Sequence, residues 1–248
     1  FVSNSISISL DLCFENDFLM SVILIFDNFL MSSKLNSLKI LSFISTLTGK
    51  LSSTKFISSS IFISEIAESE TVLEETLWVE AAERADSLGV DVINTSLGYT
   101  TYDNPNHSHS YTDMDGKTTF ISRGAEIGAS RGMILVNAAG NSGTDSWKYI
   151  GAPADVASVF SIGAVNAEEN IASFSSFGPT TDNRIKPDVL AQGQNTSIIN
   201  FLSGNVSSSN GTSFSSPVMA GVIACFWQAF PNKTNIEIMN LIRSSSDK

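Results

Sequence analysis

The feature that most constrains the fold of this chain is an uncharged, mostly apolar run at residues 218–227. Small and hydroxyl-bearing residues precede the run, and Phe230 and Pro231 follow it. This pattern predicts a helix that is apolar on every side and therefore buried. Ser213 falls where the helix begins, at the positive end of its dipole, which favours a nucleophile whose attack creates negative charge. A helix N-cap is the alternative role for this serine.

Length and charge limit the class of protein. The chain has 248 residues, enough for one globular domain with a sizeable core, and its net charge is −11. Because no basic stripe is present, the sequence argues against nucleic acid as a partner. The two cysteines, Cys13 and Cys225, lack a disulfide framework or metal-binding spacing, and we expect Cys225 to be a small core residue.

Residues 1–64 differ in composition from the rest of the chain. They contain no Ala, Arg, His, Pro, Gln, Trp or Tyr, and Gly49 is their single glycine. We interpret them as an aberrant Ser/Ile/Leu/Phe-rich segment that is not native to the fold. Our hypothesis is that the segment is translated out of the gene's true frame or from a rearranged piece of the gene. We therefore expect it to stay outside the sheet. An unusual AT-rich leader is the alternative. The most apolar piece, 18–26, is too short for a membrane span, and no signal-peptide pattern accompanies it.

Residues 65–248 have the pattern of a globular domain. A capping box at 71–74 predicts the start of a helix that runs to residue 88 and ends at Gly89. A second helix is expected at 120–132, and short β-rich runs occupy 90–94, 133–136 and 157–165. This alternation predicts an α/β fold, with a mainly parallel sheet between helices on both faces. Ligands bind such sheets at the carboxyl ends of the strands.

A polar loop at 99–119 contains His107 and His109, the only histidines in the chain. His-x-His can chelate a metal, but no third ligand is specified, so we interpret both residues as solvated. Asp113 and Asp115 are candidates for calcium binding, with a plain Asp-Gly turn as the favoured alternative. We therefore expect no metal site and no required cofactor.

Five segments resemble, in order, motifs of the subtilases, the subtilisin-like serine peptidases. Segment 210–221 resembles the nucleophile signature around Ser213, although Val218 stands where the family often has His. Segment 136–143 is similar to the oxyanion-hole stretch, whose Asn corresponds to Asn141. Segments 96–98, 172–178 and 186–193 resemble the cleft strand, the Phe-Ser-x-x-Gly turn and the Lys-Pro-Asp-Val segment. The resemblance covers the chain from residue 66 onward.

The resemblance implies the C-terminal two-thirds of a three-layer α/β catalytic domain, with polypeptides as substrates. Ser213 would be the nucleophile, and the Asn141 amide together with the Ser213 N–H would stabilise the oxyanion. Six residues would hold the substrate, the first three as a pairing strand and the last three as the wall of a roomy, apolar pocket: Ser96, Leu97, Gly98, Ala138, Ala139 and Gly140.

The family's Asp-[Ser/Thr]-Gly and His-Gly-Thr motifs are absent, and residues 1–64 occupy their place. His107 and His109 follow the cleft strand and lack the His-Gly helix start, so we do not expect either to act as the base. The sequence therefore predicts a serine endopeptidase by family whose chain is catalytically incomplete. A non-catalytic, subtilase-like peptide-binding protein is the alternative. The resemblance also implies an extracellular or cell-envelope monomer.

Overall fold

The computed structural model describes residues 7–12, 20–26, 71–200 and 205–246. Its helices are α1 (Leu73–Ser87), α2 (Phe120–Ser130), α3 (Thr212–Ala229) and α4 (Asn235–Ser245). Its strands are β1 (Ser7–Leu12), β2 (Met20–Phe26), β3 (Val92–Ser96), β4 (Ile134–Ala138), β5 (Phe160–Val165), β6 (Val189–Gln192), β7 (Thr196–Ile199) and β8 (Val206–Ser209). In the part of the chain so described, no helix has the length and apolar character that crossing a membrane requires.

A six-stranded sheet with the order β1-β2-β3-β4-β5-β6 organises the molecule. The strands from β2 to β6 pair in parallel, whereas β1 is antiparallel to β2 at the edge. A separate antiparallel pair, β7 and β8, precedes α3. The carboxyl ends of β3 and β4 therefore lie side by side, as the predicted α/β pattern requires.

Helices cover both faces of the sheet, because successive side chains on the parallel strands point to opposite sides. On one face, Trp78 of α1 and Ile121 of α2 pack with Ile93 of β3. On the other face, α3 and α4 pack against the neighbouring positions, with Ile223 and Val92 in one cluster. The prediction of a three-layer α/β fold is confirmed.

The start of α1 differs from its prediction. The helix ends as expected before Gly89, which adopts a left-handed φ of +75°. However, Val72 is the N-cap residue and its side chain makes no capping hydrogen bond. Of the predicted capping box, only the bond from the Thr71 N–H to the Glu74 carboxylate is present, at 3.3 Å.

Two strands from the first 64 residues belong to the sheet. β2 pairs in parallel with β3, from Val22 opposite Val92 to Phe26 opposite Ser96. The expectation that residues 1–64 stay outside the sheet is therefore wrong for β1 and β2. A short, continuous apolar run such as β2 is a normal pattern for a buried parallel strand, and it counts for more here than the unusual composition. The origin that we assigned to the segment stays a prediction.

Helix α3 is not buried on every side. Val218 and Val222 are 47% and 50% exposed, and Cys225 is also exposed. The sheet covers only the side that contains Ala220, Ile223 and the residues in line with them. The predictions of an entirely buried helix and of a core Cys225 are therefore wrong for the part of the fold that the structure describes. Apolar composition alone did not indicate which side faces the sheet.

Candidate active site

A pocket of about 190 Å³ opens at the carboxyl ends of β3 and β4, beside the first turn of α3. Every residue to which we assigned a site role lines it: Ser96, Leu97, Gly98, Ala138, Ala139, Gly140, Asn141 and Ser213. Among the residues that the structure describes, none that lines the pocket is charged. The fold thus brings together in one place segments that are far apart in the sequence.

Ser213 is the second residue of α3 and is half-buried. Gly211 is the N-cap, so the alternative that Ser213 itself caps the helix is wrong. Backbone N–H groups in the first turn have no acceptor within their own helix. In the described residues the N–H of Ser213 has no acceptor at all, so it is free to bind an anionic group.

The side chain of Asn141 is oriented by Thr212. Both the N–H and the hydroxyl of Thr212 donate to Asn141 Oδ1, at 2.9 and 3.0 Å. The same hydroxyl accepts the N–H of Gly140 at 3.1 Å. Because Oδ1 is held by two donors, Nδ2 is the side of the amide left to bind a ligand. Thr212 is fully buried, and the sequence analysis gave it no role although it lies inside the nucleophile motif.

Two aromatic residues also line the pocket, and the sequence analysis missed both. Trp147 and Tyr149 come from the loop that follows Asn141, and Tyr149 stacks on Tyr111 with ring centroids 4.2 Å apart. No spacing in the sequence signals that this loop folds back. Thr100 and Ser176 add hydroxyl groups, so the wall is more polar than the apolar pocket that we predicted.

Neither histidine lines the pocket, and the two differ in their exposure to solvent. His107 is exposed, as predicted. His109 is half-buried, and its Nε2 lies 2.8 Å from the Glu75 carboxylate, so the prediction that it is solvated is wrong. Glu75 also accepts the hydroxyl of Tyr102 and the N–H of Ile121 at the start of α2. Burial alone raises the pKa of Glu75, but these hydrogen bonds outweigh it and leave the pKa below its usual value.

The carboxylates proposed for calcium are used by the loop itself. Asp115 accepts the N–H groups of Lys117 and Thr118, both at 2.8 Å, and Asp113 accepts the N–H of Ser110 at 2.7 Å. Gly116, at φ +75°, makes the turn. No group of three or more metal-binding side chains converges within the described ranges. The contacts of Asp115 are those of an Asp-Gly turn, whereas Asp113 caps the short 3-10 helix Tyr111–Asp113.

Comparison with known proteins connects this geometry to a family. The sequence profile of the subtilase family matches residues 44–248. The chain belongs to the subtilase family. The match begins earlier than the domain that we placed at 65–248, and it includes all eight predicted site residues.

Individual relatives agree. The chain is 33% identical over 181 residues to serine protease AprX of Bacillus subtilis (strain 168), covering 64% of this chain and 38% of that protein. It is 33% identical over 169 residues to subtilisin DY of Bacillus licheniformis, covering 68% and 54%. A solved cold-adapted subtilisin-like serine proteinase superposes with a TM-score of 0.54 at 20% identity, over 70% of this chain and 55% of that one. The chain thus spans about half or less of the lengths of these proteins.

Proposed function

We propose that this chain is part of a serine endopeptidase domain that binds extended polypeptides and attacks them with Ser213. The observation that carries the proposal is the convergence of Ser213 and two donors that have no acceptor in the described residues, its own N–H and Asn141 Nδ2, at one pocket. Two such donors match the demand of an acyl-transfer oxyanion. An extracellular or cell-envelope location and a monomeric state accompany the proposal by analogy with the family, and calcium is a candidate ligand that the proposed reaction does not require.

We also propose that the chain supplies no base at the site. Its two histidines line no part of the pocket, and no histidine precedes His107 in the sequence, although a carboxylate, Asp27, directly follows β2. An unassisted serine hydroxyl is scarcely ionised at neutral pH, and a helix dipole contributes only about 0.3–1 kcal/mol. We therefore propose that the chain on its own hydrolyses peptides below an enzymatic rate.

Imidazole added in solution tests both statements. We expect a fluorophosphonate to label Ser213 slowly, and imidazole to accelerate the labelling in proportion to its concentration, because it supplies the missing base. The Ser213→Ala variant should show no acceleration. Rapid labelling without imidazole that His109→Ala abolishes would contradict the proposed absence of a base.

Peptide binding separates the enzyme from the non-catalytic alternative. Trp147 lines the pocket, whereas Trp78 and Trp227 are buried in the two cores, so a bound peptide should change the fluorescence of Trp147 alone. Trp147→Phe is the matched control and should remove the signal. Peptide binding without any imidazole-dependent labelling of Ser213 would favour the peptide-binding protein over the endopeptidase.

A further inference from the structure

A proline interrupts the hydrogen bonding of α3 next to the nucleophile. In an α-helix the N–H of residue 217 would donate to the carbonyl of Ser213, four residues earlier. Residue 217 is Pro217, which has no N–H, and its ring crowds that carbonyl. The carbonyl of Ser213 therefore needs a donor from outside the helix.

Strand β3 supplies this donor. The hydroxyl of Ser96 donates to the carbonyl oxygen of Ser213 at 3.0 Å. Ser96 is 1% exposed, so water does not compete for the bond. The last residue of β3 is thereby joined to Ser213, the proposed nucleophile.

One amide side chain sets the direction of this hydroxyl. Nδ2 of Asn94 donates to Ser96 Oγ at 3.2 Å, so the Ser96 hydroxyl is engaged as an acceptor there and directs its own proton to Ser213. Oδ1 of Asn94 accepts a hydrogen bond from the hydroxyl of Ser216 at 2.6 Å, so Asn94 also contacts α3 directly. Asn94 and Ser216 are both fully buried.

Asn94 and Ser96 lie on the α3 side of β3, because residues two apart on a strand share a face. Thr95 faces the other side and accepts the indole N–H of Trp78 at 3.2 Å. Thr95 is therefore a matched control: it is on the same strand, equally buried and hydrogen-bonded, but in the described part of the chain it makes no hydrogen bond to α3.

We propose that Asn94 is a positioning residue for the nucleophile, acting through Ser96 and Ser216 to hold the first turn of α3 against the cleft strand. The inference rests on the proposed role of Ser213. Loss of the Ser96 bond leaves the carbonyl of residue 213 unpaired and loosens the turn whose N–H groups favour an anion. A negatively charged group at position 213 then becomes harder to form.

The test measures the nucleophile position directly, without catalysis. In a Ser213→Cys background, the rate of alkylation by iodoacetamide is followed against pH by peptide-resolved mass spectrometry, and its midpoint gives the pKa of the introduced thiol. Cys225 is exposed on the same helix, and its alkylation in the same molecules serves as the internal reference for reagent reactivity at each pH. No base or peptide is needed, so failure of the imidazole or peptide experiments leaves this result interpretable.

Asn94→Ala and Ser96→Ala should each raise the midpoint by about half a pH unit or more, which slows alkylation near neutral pH about threefold. Ser96→Thr keeps the hydroxyl and should restore the original midpoint, and Thr95→Val should not change it. Pro217→Ala restores an N–H and should reduce the effect of Ser96→Ala.

If Asn94→Ala does not fold, the Ser96 variants decide. An unchanged midpoint in Ser96→Ala, or an equal shift in Thr95→Val, would overturn the proposal.

Discussion

At the scale of the residue, Thr212 sets the direction of the Asn141 amide. Its hydroxyl accepts from Gly140 and donates to Asn141, and its N–H donates to the same Asn141 oxygen. A single fully buried side chain thus connects two segments of the pocket. The free donor of Asn141 is defined before any ligand binds, and preorganised donors of this kind stabilise charge that develops in a transition state.

Replacing the Asn141 amide should affect chemistry more than binding. We expect Asn141→Ala to lower the imidazole-supported labelling of Ser213 by about a hundredfold or more, the size of the loss measured when the corresponding donor is removed from a subtilisin. The peptide affinity reported by Trp147 should change little. Thr144→Ala is the control and should alter neither quantity, because Thr144 lies on the same loop, is exposed and is not among the described residues that line the pocket. A loss confined to peptide affinity would remove Asn141 from the oxyanion role.

At the scale of the element, α3 has one side packed on the sheet and one side exposed. Ile223 is fully buried in the core cluster, whereas the adjacent Val222 is half exposed. The energetic contribution of the helix therefore depends on the side that faces β3, β4 and β5. Apolar residues on the other side contribute little to stability in the described fold.

Two neighbouring truncations should separate these sides. Ile223→Ala should lower the free energy of unfolding by about 2–5 kcal/mol, because it removes buried surface and leaves a cavity. Val222→Ala should change it by no more than about 0.5 kcal/mol. Urea denaturation of the two variants provides the measurement. Equal losses would show that the exposed side of α3 is covered in solution.

A salt bridge connects α4 to the residue that precedes β6. Asp188 pairs with buried Lys186 at 2.7 Å and with Arg243 of α4 at 2.8 Å. Asp188→Ala should lower the free energy of unfolding by about 3–5 kcal/mol, because Lys186 is left buried without a counter-charge. The pair of Arg184 and Asp182, whose side chains are 26% and 41% exposed, is the control, and Asp182→Ala should cost about 0–1 kcal/mol in the same denaturation experiment. Similar losses would contradict a special role for the buried pair.

At the scale of the whole molecule, two buried carboxylates join the 99–119 loop to the body of the domain. Glu75 of α1 binds His109, Tyr102 and the start of α2. Asp155 accepts the N–H of Gly116 and the hydroxyl of Ser122, each at 2.7 Å. Burial raises the pKa of Asp155, in spite of these hydrogen bonds, whereas the pKa of Glu75 is lowered.

The two carboxylates should give stability opposite dependences on pH. The contribution of Glu75 is present above its usual pKa of 4.5 and is lost as the pH falls through the lower folded value. The contribution of Asp155 is present below its usual pKa of 3.8 and is lost as the pH rises through the higher folded value. The measurement is the unfolding free energy of the parent minus that of each variant, between pH 3 and 7. This difference should increase with pH for Glu75→Gln and decrease with pH for Asp155→Asn. Slopes of the same sign would contradict one of the two assignments.

The sequence by itself determined the α/β class, the succession of α1, β3, α2, β4 and β5, and the choice of Ser213 and Asn141 as candidate site residues. These depend on patterns that extend over one element or one short motif, such as the apolar period of α1 or the motif that includes Gly211 and Ser213 at the start of α3. Eight residues assigned to the site from such motifs all line the pocket.

Only the tertiary structure decided which distant side chains meet. Glu75 contacts His109 across 34 positions, and Ser216 contacts Asn94 across 122. It also decided that β2 joins the sheet and that Val222 and Cys225 face outward. Periodicity shows that a segment has an apolar side but not what covers it, since pairing and burial depend on residues far away in the chain. For the same reason, no sequence pattern predicted the hydrogen bonds that join Asn94 and Ser96 to α3.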